Sequence, residues 1–298
     1  TVTFGVNRET GFVFGGNEWN CGTWMDKMGS SEKAGTKGKP ASPRDGSAIE
    51  IVGLCKAVVS WLDDLFKNGR LYPYDGVECL YDNTITLKWT WKKWITLIQS
   101  NFEKYFYIPL EGEKPLLDDP NPQMIHRRGI YKDTVGASQV WQDYQLRPNF
   151  LVAMVVAPEL FDKSHACHAI GMAKKHLCGP LGMKTLDPSD WNYSGDYDNG
   201  NDSSEARVAH GYNYHQGPEW LWLTGYYIRA SSKFLGQSER AHHLQLLANF
   251  YATLIETPWL GLPELTNTNG KFCKDSCPIQ AWSLATALEA LHESIRKA

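Results

Sequence analysis

Apolar residues recur at three-and-four spacing along most of this chain, the pattern of helices that bury one face. Residues 47–67 place Ile51, Val52, Cys55, Val58, Val59, Leu62 and Phe66 on one stripe, with Ser47 and Glu50 spaced as a capping box and Gly69 as a stop. A second stripe over 84–107, opening at Asn83 or Thr84, carries Leu87, Trp91, Trp94, Ile98, Phe102 and Tyr105. Pro148 suits a first helical turn and predicts a short helix to Ala157; Pro158 predicts another to about Leu177, closed by Gly179 and Pro180. Three more are predicted at 218–235, 237–257 and 278–296, with Pro218 and Pro278 in first turns and Gly236 between the first two. The expectation is an all-α chain of seven helices.

Strand signals are short. Thr1 to Val6 and Gly11 to Phe14 can form a small hairpin around the polar turn at Asn7 to Thr10, and no large sheet is expected. Long segments at 15–46, 108–147, 179–217 and 258–277 separate the helices. They are rich in Trp, Tyr, His and Pro rather than low-complexity filler, so they read as functional loops.

Composition narrows the function. With 42% hydrophobic and 21% charged residues the chain is an ordinary globular sequence, and a net charge of −3 with scattered Lys and Arg argues against nucleic acid as a partner. No apolar run approaches the ~20 residues that span a bilayer. Seven cysteines without framework spacing favour reduced thiols and a cytoplasmic location. The 12 Trp and 14 Tyr often stand beside Asn, Asp, Gly or His. Flat rings next to polar groups suit sugars, whose C–H faces stack while their hydroxyls seek amides and carboxylates.

Two carboxyls stand out. Asp26, in the Gly-, Trp- and Asn-rich loop of 15–46, sits between Met25 and Met28, which are expected to desolvate it and so favour the protonated form that a general acid needs. Glu264 follows Pro263, and Thr266, Asn267 and Asn269 are expected to keep it ionised by hydrogen bonding, as suits a base. An acid and a base in contrasting surroundings are the requirement of glycoside hydrolysis. The segment Tyr212 to Trp220 offers a hydroxyl-binding rim that includes Glu219, alternatively a first-turn partner of the helix dipole. His165 with His168, and Cys273 with Cys277, lack the spacing of a four-ligand zinc site, so neither a metal nor a cofactor is expected. Cys21 has no base obviously paired with it for thiol chemistry.

Taken in order, Asn17 to Gly29, Pro43 to Gly46, Leu146 to Asn149, Gly182 to Leu186, Tyr214 to Gly217 with Trp220, and Leu262 to Glu264 make the chain resemble the carboxyl-terminal amylo-α-1,6-glucosidase domain of eukaryotic, animal-type glycogen debranching enzymes. The resemblance runs end to end. It implies an (α/α)6 toroid of the glucoamylase and trehalase kind, with an inverting mechanism that frees the α-1,6-linked glucose left on a trimmed glycogen branch. It also implies Asp26 as general acid and Glu264 as general base, with Asn17, Trp19, Trp24, Arg44, Arg147, His215, Gln216 and Trp220 lining the pocket. A complete toroid has twelve helices, so residues 1–298 are expected to be one fragmentary domain holding the later ones. The partners implied are glycogen or limit dextrin and the rest of a bifunctional polypeptide with 4-α-glucanotransferase activity elsewhere. The alternative is a noncatalytic glycogen-binding region.

Overall fold

The structure, a computed structural model, describes residues 2–69, 72–81 and 85–296. Seven α-helices carry it: α1 (Ile49–Lys67), α2 (Trp91–Phe106), α3 (Phe150–Val156), α4 (Lys163–His176), α5 (Trp222–Phe234), α6 (Arg240–Glu256) and α7 (Ala281–Arg296). The strands are short: β1 (Phe4–Val6), β2 (Val13–Gly15), β3 (Ser47–Ala48), β4 (Gly76–Tyr81), β5 (Ile85–Thr90), β6 (Tyr107–Ile108), β7 (Ile130–Tyr131), β8 (Thr134–Val135), β9 (Met183–Lys184), β10 (Glu219–Trp220) and β11 (Leu265–Thr266). They pair antiparallel as β1 with β2, β3 with β8, β4 with β5 and β6 with β7, and β10 is flanked by β9 and β11. The first of these is the expected hairpin, apart from Thr1, which lies outside the described residues.

The odd-numbered helices pack side by side, α1 on α3, α3 on α5 and α5 on α7, while α2 covers α1, α4 covers α5, and α6 touches α7. This is the two-layer alternation of an α/α toroid. Helix α3 is buried from Phe150 to Met154, and most of α5 is buried too, which explains why neither shows a clean polar stripe. The core joins Ile49, Val52 and Val59 of α1, Ile98 and Phe102 of α2, and Trp222, Leu223 and Tyr227 of α5. Alternation has a positional consequence: the segments preceding α1, α3, α5 and α7 all gather at one end of the layer. These are the segments read as functional loops.

Four boundary expectations are corrected. Residues 85–90 are strand β5, so α2 starts at Trp91, with Thr90 Oγ1 accepting from Lys93 N–H at 3.1 Å; Asn83 and Thr84 lie outside the described residues. Ser47 and Glu50 form no capping box, because Ser47 pairs in β3 and the Glu50 carboxylate turns to Arg44. Pro158 opens only a 3-10 turn (Pro158–Leu160), and Asp162 then caps α4 through the N–H groups of Ser164 and His165. Pro218 precedes a strand instead of starting a helix, which moves Glu219 out of any first turn.

Candidate active site

A buried ionic cluster sets the floor of the loop-bearing end. Arg44, 1% exposed, places its guanidinium between two carboxylates. Nη1 and Nη2 donate to Glu50 at 2.6 and 2.7 Å, and Nε donates to Asp133 at 2.6 Å. Such bidentate pairing is what allows an ion pair to persist without water. Arg44 has φ 47, a left-handed backbone held in place partly by its N–H donating to Gln142 Oε1 at 2.9 Å. Asp133 also accepts from Asn149 Nδ2 at 2.7 Å, and Asn149 Oδ1 accepts from the Trp24 indole at 2.9 Å. The cluster therefore aims Trp24, two residues from Asp26.

Arg147 does the same for other loops. Its guanidinium donates to Gln145, to the carbonyls of Thr185 and His215 at 2.8 and 2.7 Å, and to Gln216 Oε1 at 2.6 Å, while Gln216 Nε2 donates to the Ala41 carbonyl at 2.9 Å. Gly217 crosses Ser194 so closely, at φ 148, that a Cβ would lie 2.5 Å from its carbonyl oxygen. His215, 1% exposed, is stacked on Trp220 and edge-on to Trp24, with neither ring nitrogen bonded to protein. Burial, with Arg147 and Arg44 nearby, pushes its pKa well below the usual imidazole range and keeps it neutral.

Glu264 stands just before β11. Its carboxylate accepts from Gln280 Nε2 at 3.3 Å and Cys277 N–H at 3.5 Å, and its charge acts on the nearby Tyr214 phenol. Burial first, then the Glu264 carboxylate, then the nearby Tyr197 and Asp26, push the Tyr214 phenol far above its ordinary pKa. Tyr214 thus lies within electrostatic reach of both candidate carboxyls. The Lys27 ammonium is 5.7 and 5.8 Å from the rings of Tyr197 and Tyr214.

The environments differ from those expected. Asp26 is exposed; Met25 turns inward, 1% exposed, and Met28 outward, 38% exposed, so neighbours in sequence do not desolvate the carboxyl. Asn269 and Gly270 N–H groups donate not to Glu264 but to Glu219, each at 3.0 Å, joined by Thr266 Oγ1 at 3.4 Å; Asn267 accepts from Tyr197 N–H. Glu219 is 0% exposed and pressed against Gly179, where a Cβ would meet its carboxylate at 2.3 Å, so it ties loops together instead of forming a rim. Arg44, Arg147, Gln216 and Trp220 are likewise buried supports, whereas Asn17 and Trp19 lie on the open surface. Tyr214, Lys27 and Gln280 are the contributions that sequence reasoning missed, although Tyr214 and Lys27 lie inside the segments that carry the resemblance.

Among the described residues no three His, Cys, Asp or Glu converge; His165 bonds Glu103 at 2.8 Å, and Cys273 and Cys277 donate to the carbonyls of Tyr197 and Ile279. Burial and the charge of Asp26 push the Cys21 thiol up to about 11, the opposite of activation. No helix among the described residues is long and apolar enough to cross a membrane.

The sequence profile of the family described as Amylo-alpha-1,6-glucosidase matches residues 1–289. The glycogen debranching enzyme of Saccharomyces cerevisiae is 44% identical over 98% of this chain, which spans 20% of that protein. Neutral trehalase Nth1 from Saccharomyces cerevisiae superposes with a TM-score of 0.53 at 13% identity, over 86% of this chain and 39% of the trehalase, and thereby shares the fold.

Proposed function

The chain belongs to the amylo-alpha-1,6-glucosidase family, and we propose that it carries the glucosidase centre of a longer cytoplasmic debranching protein, with 4-α-glucanotransferase activity elsewhere in the polypeptide. The substrate is the single α-1,6-linked glucose on a trimmed glycogen branch. Asp26 protonates the glycosidic oxygen, and Glu264 takes the proton from a water attacking the anomeric carbon from the opposite face, so the configuration inverts. The observation that carries this reading is the ring contact of Trp24, two residues from Asp26, with Trp282, two residues from the Gln280 that donates to Glu264; it joins two loops more than two hundred residues apart.

The exposure of Asp26 fits a role that begins when substrate covers it: a bound glucan supplies the desolvation that the free loop lacks. Glu264 is held in place by two donors on its carboxylate, Gln280 Nε2 and the Cys277 N–H, as a positioned base requires. We also take the seven helices as the later part of an (α/α)6 ring. The exposed apolar side chains on the terminal members of the arc, Val58 and Trp61 on α1 and Leu288 and Ile295 on α7, support this.

In the full-length protein, Asp26→Asn and Glu264→Gln are expected each to lower glucose release from phosphorylase-limit dextrin by at least ~100-fold, at the low end for general acid or base loss. Retention on glycogen is expected to persist. The first-formed glucose, followed by NMR, is expected to be the β-anomer. Unchanged glucose release from either variant overturns the assignment and leaves the noncatalytic glycogen-binding reading.

A further inference from the structure

We propose that the outward face of Trp282 is a stacking platform for a glucose ring next to the scissile bond, a subsite that deepens the hydrolase reading and rests on it. The exposed tryptophans among the described residues are Trp19, Trp61, Trp191, Trp259 and Trp282. Trp282 alone of these is built into the aromatic group behind the candidate carboxyls. Its ring lies on that of Trp222, with centroids 3.8 Å apart and planes 13° apart, and Trp24 stands perpendicular to both, at 5.0 Å from Trp222 and 6.3 Å from Trp282. Trp222 is 2% exposed while Trp282 is 39% exposed, so the stack covers one face of Trp282 while the residue still reaches the surface.

Its place in the chain ties it to the chemistry from both sides. Trp24 precedes Asp26 by two residues in the same loop. Gln280, which donates to Glu264, precedes Trp282 by two residues at the start of α7, and Ser283 Oγ donates to the Pro263 carbonyl at 2.9 Å, next to Glu264. The platform is consequently fixed relative to both carboxyls.

A ring clamped on one face has already given up its rotational freedom, so a ligand stacking on the other face costs little ordering entropy. An uncharged, flat, apolar surface beside hydrogen-bonding carboxyls suits a pyranose, which presents C–H groups on its face and hydroxyls at its edge. Placed there, the sugar orients its glycosidic oxygen toward the Asp26 loop.

The test uses full-length protein carrying Glu264→Gln to stop hydrolysis, titrated calorimetrically with maltotetraose bearing one α-1,6-linked glucose. Trp282→Ala and Trp282→Leu are expected to raise Kd about tenfold, equal to about 1.4 kcal/mol. Trp282→Phe, which keeps a ring, is expected to stay within about threefold. Tyr251→Ala, an exposed ring on α6 away from the candidate site, is the control and leaves Kd unchanged. Leucine preserves the apolar contact with Trp222, so it reports the loss of the aromatic face even where alanine disturbs folding. A Leu variant that binds as tightly as its parent, or a parent that does not bind the oligosaccharide, overturns the proposal. Failure of the hydrolase reading appears separately, as unimpaired glucose release by Asp26→Asn or Glu264→Gln; a protein that binds without cleaving would still show the Trp282 effect.

Discussion

Asp143 illustrates how this end of the fold stores a protonation preference in a single residue. It is 7% exposed, accepts from Thr134 Oγ1 at 2.5 Å and from Gly136 and Ala137 N–H at 2.9 and 3.2 Å, and burial outweighs these donors, pushing its pKa up to about 6. A folded-state pKa above the unfolded value means that the native state holds the proton more tightly. The resulting stabilisation is complete below about pH 3.9, declines as pH rises through about 6, and is absent above about pH 7. Wild type is therefore expected to gain about 2 kcal/mol relative to Asp143→Asn between pH 7.5 and 4.5. Denaturant unfolding of the two proteins side by side measures this, and a gap that does not move with pH refutes it. Arg44, Asp133 and Asn149 show a different residue-scale lesson. The Arg44–Asp133 contact joins positions 89 residues apart, so nothing local announced the chain of bonds that aims Trp24. Asp26 and Glu264 stand out in the sequence as carboxyls in contrasting surroundings, but the neighbours that set those surroundings differ in the fold, because sequence adjacency puts Met25 beside Asp26 without saying which way it faces.

At the scale of elements, close helix packing makes two glycines behave oppositely. Gly53 of α1 faces α3, and a Cβ there would lie 2.6 Å from Ala153 Cβ and 2.7 Å from its Cα, whereas Gly171 of α4 has open space. Alanine gains roughly 1 kcal/mol of helix propensity at either site, but overpacking at the α1–α3 contact costs about 1–3 kcal/mol. Gly53→Ala is accordingly expected to lower the urea midpoint and Gly171→Ala to raise it, with unchanged m-values; the same sign at both sites would show that the α1–α3 contact yields. Helix existence was legible because burial of one face imposes a period on the sequence. The errors fell where one residue type serves several structures. Proline before Glu219 fits the entrance to a strand as well as a first helical turn, and the aromatic, β-branched run at 85–90 pairs with Gly76–Tyr81 instead of extending α2. Glu219 was misread for the same reason, since its N–H donors come from Asn269 and Gly270, some fifty residues later.

At the scale of the whole molecule, the layered alternation leaves the two ends of the arc with apolar surfaces. On α1, Leu54, Val58 and Trp61 are 41%, 52% and 60% exposed, beside a groove of about 640 Å3 reaching to the β1–β2 hairpin. On α7, Leu288, Leu291 and Ile295 are 64%, 42% and 66% exposed. Contiguous apolar surface of this kind marks an interface, and in a chain studied alone it promotes association. The isolated chain is expected to self-associate with rising concentration in sedimentation velocity, and the Val58→Lys, Leu288→Lys double variant is expected to remain monomeric under the same conditions. In the longer protein we propose, neighbouring helices would cover these positions. There each lysine should cost about 1.5–3 kcal/mol, the value of burying one Val or Leu side chain, and should lower the unfolding temperature. The two measurements bear on different claims. Monomeric behaviour of the unmodified chain would show that the faces are not adhesive, and full stability of the substituted longer protein would show that no further helices pack on them.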